Sequence, residues 1–381
     1  MDIPATTRRP PTTGGEGGAG ARPWAAPLRP GRFACLSVDE AVDRLGITNP
    51  ETVRALQRCA AGLKGGPVPS EVGRDDDFFK SMSEQRRVPR KRPEEAYARD
   101  LTFRSGERWL WDISVAFECA FDGVRYLVIF VCRRSGLVRI YPVKDKSAKT
   151  VIEFAIEPLR VFVRTTRPDV RLLSIHGDAD SAVSQWGHGE HQDNAEVRAY
   201  NAQLADPILI RRSPANMHAM NASEPHMKRL SYLSNRIRQR WALGSCFDAD
   251  AMVAAGEQLN DTPVPFSTNP ELHEATRWEL YTEGEEVSDL SRWVGEPGQS
   301  IWAHVAGSKA NLGQPKARAG IFLYPLRGSA GFVVRMLESR RLMLTYSISM
   351  VNDRHLRHAR LLESDRARGE QDLDSGVRGR R

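Results

Sequence analysis

The stretch "WLWDISVAFEC" (109–119) decides how the rest of the chain is read. Trp109, Trp111, Ile113, Val115 and Phe117 alternate with Asp112, Ser114, Ala116 and Glu118, and a period of two predicts a strand with one bulky face. Asp112 then points to the other face. An acid in mid-strand is either an exposed strand residue or a group that binds something.

Working outward, the turn at Asp122-Gly123 leads into "VRYLVIFV" (124–131), whose apolar run after Arg125 is expected of a central strand buried on both sides. "GLVRIYPV" (136–143) follows, and Pro142 suits an edge strand because it has no N–H to give a neighbour. "KDKSAKTVIEFAIEPLRVFV" (144–163) has helical spacing from a Ser147 cap, with Pro158 as a kink or stop. A strand, "VRLLSI" (170–175), comes next. A short helix over 193–204, a strand at "PILI" (207–210) and a long helix over 221–243 complete the order β-β-β-α-β-α-β-α. Three antiparallel strands followed by helical crossovers imply an α/β fold, a mixed sheet with helices on both faces.

The flanks are plainer. Residues 1–32 are rich in Pro, Gly, Thr and Arg and are expected to be disordered, while Leu36 to Leu63 reads as helical and leads into charged linker. No run approaches the eighteen or so apolar residues of a membrane span, and the N-terminus lacks the apolar stretch of a signal peptide, so the expectation is a soluble, unsecreted protein without a membrane partner. The five cysteines, Cys35, Cys59, Cys119, Cys132 and Cys246, are scattered without a CxxC pair. Free thiols are expected, with neither a disulfide framework nor a zinc finger.

A net charge of +7 over 381 residues favours polyanionic partners, and its placement sharpens that. "RRVPRKRP" (86–93) is one basic cluster, either a solvated surface, a nucleic-acid contact or a nuclear import signal. The other runs from Arg211 and Arg212 into the long helix. There Met227, Leu230, Leu233, Ile237 and Trp241 share an apolar face. Lys228, Ser231, Asn235 and Arg238 share the flank of Glu224, and Arg229, Arg236 and Arg240 take the other. Such a ridge is either a phosphate track or an ordinary solvated amphipathic helix.

Two further acids stand out. In "LLSIHGDADSAVSQWGHGEH" (172–191), Asp178 and Asp180 sit just past the strand, as turn residues, metal ligands or both. His176, His188 and His191 in the same stretch raise a rival zinc-hydrolase reading, but His-x-x-His in a glycine-bearing loop lacks the one-face helical geometry of known zinc motifs. Glu224 follows Asn221 by three residues, which makes a capping box, yet a first-turn Glu can also face a metal held by other acids.

The order strand Asp, strand-end Asp, helix Glu resembles the catalytic core of retroviral and retrotransposon integrases, and of these the copia type more closely. The resemblance spans roughly residues 95–353 and is carried by "WLWDIS", "YLVIFVCRRSGLVRIYPVKDKS", "LLSIHGDADS", "RRSPANMHAMNASE" and "FDADAMVAAGEQLNDTP". It implies a ribonuclease-H-like core over 101–265, a small C-terminal β-barrel over 285–353, a charged tail over 354–381, and a degenerate pre-integrase region over 33–100. It also implies that Asp112, Asp178 and Glu224 are the catalytic carboxylates, with Asp178 rather than Asp180 as the ligand of two Mg²⁺ or Mn²⁺ ions. No zinc is expected, because Ile47 in "RLGITNPETV" stands where the family has a ligand histidine. The implied partners are DNA and further copies of the chain assembled on it, in the nucleus or otherwise the cytoplasm. The implied activity is integration, as part of a Pol polyprotein; the alternative is a decayed integrase that binds nucleic acid without chemistry.

Overall fold

A computed structural model describes residues 35–47, 50–65, 67–68, 103–114, 116–118, 120–177, 194–212, 224–263, 275–304 and 317–351. The basic run at 86–93 and both chain ends lie outside them. Five strands form the first sheet: β1 (Arg108–Ile113), β2 (Tyr126–Cys132), β3 (Val138–Val143), β4 (Ser174–Gly177) and β5 (Leu209–Arg212), in the order β3-β2-β1-β4-β5. β1 pairs antiparallel with β2 and parallel with β4, and β5 adds parallel to β4. This is the mixed order that the resemblance to ribonuclease-H-like cores implies.

Local chemistry explains each element. β2 is buried at every position after Tyr126, as a central strand on a covered sheet must be. β3 is an edge, where Pro142 costs no ladder bond. The turn before β2 places Asp122 and Gly123 at φ 60° and 71°, a left-handed pair that an Asp-Gly sequence tolerates. Both outer strands are closed by an asparagine that mimics a strand. The Asn260 side chain accepts from Val138 N–H and donates to its carbonyl, both at 2.8 Å, and Asn201 does the same for Ile208 at 3.0 Å.

The helical crossover starts as expected at Ser147, whose hydroxyl accepts from Thr150 N–H. Pro158 does not stop it. α3 (Ala148–Val151) passes through a π-turn (Ile152–Ile156) into α4 (Glu157–Thr166), and the wider turn absorbs the missing N–H of Pro158 at the head of α4. With α5 (Ala195–Asn201), these helices cover the sheet face that carries Trp109, Trp111 and Ile113. α6 (Glu224–Arg240) and α7 (Asp248–Asn260) cover the other, packing Leu230, Leu233, Ile237 and Trp241 onto Leu127, Ile129 and Val131. A short helix, α8 (Arg277–Thr282), returns Trp278 and Tyr281 to the first face.

The C-terminal strands correct one expectation. β6 (Ser300–His304), β7 (Ala317–Pro325), β8 (Phe332–Met336), β9 (Leu342–Thr345) and β10 (Ile348–Met350) form a sheet in the order β10-β6-β7-β8-β9, with β9 and β10 as its outer strands and no closed barrel among the described residues. The reason lies in what covers it. A barrel fills its own interior, whereas here α1 (Val38–Leu45) and α2 (Pro50–Cys59) pack Val42, Leu45, Val53 and Leu56 against Ile301, Phe322, Phe332 and Val334. Ile321 and Leu323 on the reverse face join the α6–α7 cluster. Ile47, set where a zinc-ligand histidine was sought, is 1% exposed within the α1–α2 core.

One ion cluster ties the two sheets together. Arg335 of β8 forms two 2.7 Å bonds to the Asp250 carboxylate on α7 and a 2.5 Å bond to Asp122 in the turn before β2. Arg335 is only 3% exposed, and burial pushes the Asp250 carboxyl up from its usual range against the pull of the guanidinium. Removing one partner strands the other charge. Arg335→Ala is expected to lower the unfolding free energy by about 3–5 kcal/mol, read as a fall in denaturation midpoint.

Candidate active site and nucleic-acid interface

Asp112 is the penultimate residue of β1, opposite Ile129 of β2. Burial alternates along β1, so Leu110 and Asp112 share the face that Ile129 and Val131 turn toward α6 and α7. The Asp112 side chain is half-buried, and its Oδ1 accepts from Ile113 N–H at 2.8 Å. The period-two reading of this stretch therefore gives the correct face.

β4 ends beside it. Trp111 is in register with Gly177, the last residue of the strand. The Trp111 indole lies so close that a Cβ on Gly177 would come within 2.2 Å of its Nε1, so only glycine fits. Asp178 follows directly in sequence, and with Asp180, His188 and His191 it lies outside the described residues. His176 is half-buried in β4 between Leu110 and Arg211. Arg211 and Arg212 end β5, with Arg212 in register with Gly177.

Glu224 is the first residue of α6. One turn on, Met227 packs against the cluster that contains Ile129 and Leu110. The helix thus belongs to the layer on the sheet face to which Asp112 also turns. Asn221, and with it the capping-box alternative, lies outside the described residues, and so does the Glu224 side chain.

The basic ridge of α6 divides in a way that the helical wheel does not show. Lys228 and Asn235 are exposed, as is Ser231. Arg236 is buried, 3.3 Å from the Asp43 carbonyl and 3.8 Å from its carboxylate. Arg240 meets Asp43 at 3.3 Å and Glu296 at 2.6 Å, and Arg238 meets Asp248 at 2.6 Å. Burial also lowers the pKa of Arg229. Arg236, Arg238 and Arg240 thus hold α6 to α1, to α7 and to the loop before β6, while Arg229 is half-buried. Their partners are 50 or more residues away in sequence, except Asp248, so spacing within the helix cannot reveal them.

The donor chemistry of Asp112, Asp178 and Glu224, hard carboxylate oxygens alone, suits Mg²⁺ or Mn²⁺ and not zinc. Among the described residues no group of three His, Cys, Asp or Glu side chains forms a metal cage. No described helix is long and apolar enough to cross a membrane.

No family model matches the chain, and no curated protein does. Among solved structures, a simian T-cell lymphotropic virus intasome in complex with the PP2A regulatory subunit B56 gamma is similar at 13% identity and TM-score 0.38, covering 83% of this chain and 99% of that one. The HTLV-2 integrase catalytic core domain in complex with magnesium, in a trimeric form, is similar at 18% identity and TM-score 0.30, covering 47% of this chain and 97% of that one. Both scores are low, and the fold is carried by strand order and register, not by either neighbour.

The division of the α6 cations has a measurable consequence. Arg236→Ala should lower the unfolding free energy by about 1–2 kcal/mol through lost packing and hydrogen bonding. Lys228→Ala should change it by less than about 0.5 kcal/mol. Chemical denaturation of the two variants reads the difference.

Proposed function

We propose that this chain is a metal-dependent polynucleotidyl transferase core of the integrase type, of copia-like retrotransposon descent, acting on DNA. The observation that supports the reading is the layout of the first sheet: Asp112 is on the β1 face turned toward the α6–α7 cluster, β4 pairs with β1 and ends at Gly177, one residue before Asp178, and Glu224 is the first residue of α6. In this reading Asp112, Asp178 and Glu224 hold two divalent cations, and Asp180 is a loop residue. Bound there, Mg²⁺ or Mn²⁺ would supply activation of the attacking oxygen and stabilisation of the leaving oxygen in an in-line displacement at phosphorus.

The chain's own residues do the rest. The β1–β4 ladder sets Trp111 beside Gly177, and the close fit of the indole on that glycine fixes the end of β4. The half-buried setting of Asp112 keeps its carboxylate out of bulk water. Exposed Lys228 and Asn235 offer a charge and an amide to the phosphate backbone alongside. With water as nucleophile such a site trims a DNA end; with a DNA 3′-hydroxyl it joins strands.

A strand-transfer assay with a labelled duplex and Mg²⁺ or Mn²⁺ tests this. Wild-type chain should yield joined product, and Asp112→Asn and Glu224→Gln should each reduce it by at least about a hundredfold, as expected for loss of a transition-state charge contact. Product formation indifferent to both substitutions would falsify the site. DNA binding with no product from the wild type would favour the non-catalytic, integrase-derived binding protein.

A further inference from the structure

The end of the first sheet that carries Asp112 also carries exposed cations that the α6 ridge does not include. Arg125 and Lys144 each stand one residue beyond the Tyr126–Val143 pair that closes the β2–β3 ladder, and Arg125 N–H donates to the Val143 carbonyl at 3.0 Å. Both side chains are exposed. Arg125 has the same parity on β2 as Leu127 and Ile129, both of which turn to the α6–α7 face, and Ile129 lies opposite Asp112. Lys144 has the parity of Ile140 on β3, which turns to that face too. Four strand residues separate Arg125 from Ile129, which sets the cation about 13 Å along the sheet from the level of Asp112. That is about four nucleotide steps along a duplex axis.

Of the acids nearby, Glu118 is exposed one residue from Phe117, whose N–H donates to the Arg125 carbonyl, while two others are engaged. Asp122 binds buried Arg335 at 2.5 Å, and Asp145 accepts from Ser147 N–H at 2.9 Å and from the Thr150 hydroxyl at 3.0 Å. Those bonds hold the Asp145 carboxyl below its ordinary pKa, so it is charged and occupied with the start of α3. Among the described residues neither Arg125 nor Lys144 forms an ion pair. Lys146 adds a third positive charge at this end, with its Nζ 4.6 Å from the centre of the Tyr126 ring. Arg125 and Lys144 are thus two solvated cations on one face, neither of them ion-paired among the described residues.

We infer that Arg125 and Lys144 hold the phosphate backbone of duplex DNA as it runs away from the Asp112 site across the end of β2 and β3. This rests on the proposed DNA substrate, but it concerns binding and not chemistry. The contact fixes the direction of the bound strand and carries no sequence information, since both groups meet phosphates and not base edges.

Fluorescence anisotropy of the full chain with a labelled duplex, in EDTA and over a series of salt concentrations, tests it. Removing two phosphate contacts should flatten the slope of log K against log salt by about 1.8, at about 0.9 per contact. The Arg125→Ala/Lys144→Ala pair should show that loss, and Arg125→Lys/Lys144→Arg should retain the wild-type slope. Arg164→Ala/Arg198→Ala, which removes two exposed cations from α4 and α5 on the opposite face, should also retain it. An unchanged slope in the first pair, or an equal loss in the opposite-face pair, overturns the inference. Because metal is absent, a chain that fails to join DNA but shows the specific slope change retains this surface and loses only the catalytic reading.

Discussion

The β1 strand is hydrogen-bonded on both sides, antiparallel to β2 and parallel to β4, and every functional placement follows from that position. A strand flanked in this way cannot slip by one residue without turning Trp109, Trp111 and Ile113 out of the core, so the face of Asp112 is held by the burial of its neighbours. The parallel partner brings the end of a strand from more than 60 residues further along the chain to the same sheet end. Trp111 serves both demands, since its ring fills the core and also requires glycine at the last position of β4.

The second constraint is that α6 and α7 are shared. Their apolar side chains belong to one cluster with residues of both sheets, while α6 arginines reach the N-terminal helix α1 through Asp43 and the loop before β6 through Glu296. Gly46, which ends α1 with φ 64°, lies so close to Leu233 and Arg236 that a Cβ there would come within 3 Å of both. Sequence segments that read as separate modules, 33–100, 101–265 and 285–353, therefore meet through side chains of one helix pair. These ties hold the C-terminal end of α6.

How much of this the sequence reveals depends on the range over which each signal acts. Alternation over 109–113 and the apolar run over 126–131 report burial directly, so β1, β2 and the face of Asp112 are legible, but the strand stops at Ile113, and Phe117, expected on the face of Trp109, packs with the opposite cluster. Pro142 correctly marks the edge, and Ser147 marks a helix start, because a cap is a local hydrogen bond. Pro158 misleads because a π-turn compensates for it, and nothing local announces a π-turn. The ion pairs of the α6 arginines are illegible for a different reason. A helical wheel shows which side a charge is on, but the acid that neutralises it comes from α1 or the segment before β6, and long-range pairing leaves no periodic trace. The C-terminal strands are legible as strands, but whether they close on themselves depends on α1 and α2, which are more than 240 residues earlier.

The asparagine bridges at the two outer strands of the first sheet bear on how copies of this chain can associate. Asn260 occupies the backbone of Val138 on β3, Pro142 has no hydrogen to offer further along, and Asn201 occupies Ile208 at the entry to β5. Both rims are thus partly sealed against an incoming strand. Extension of the first sheet at either of these two positions would first have to break those bridges. The same seals disfavour the rim-to-rim stacking by which exposed strands seed fibrils.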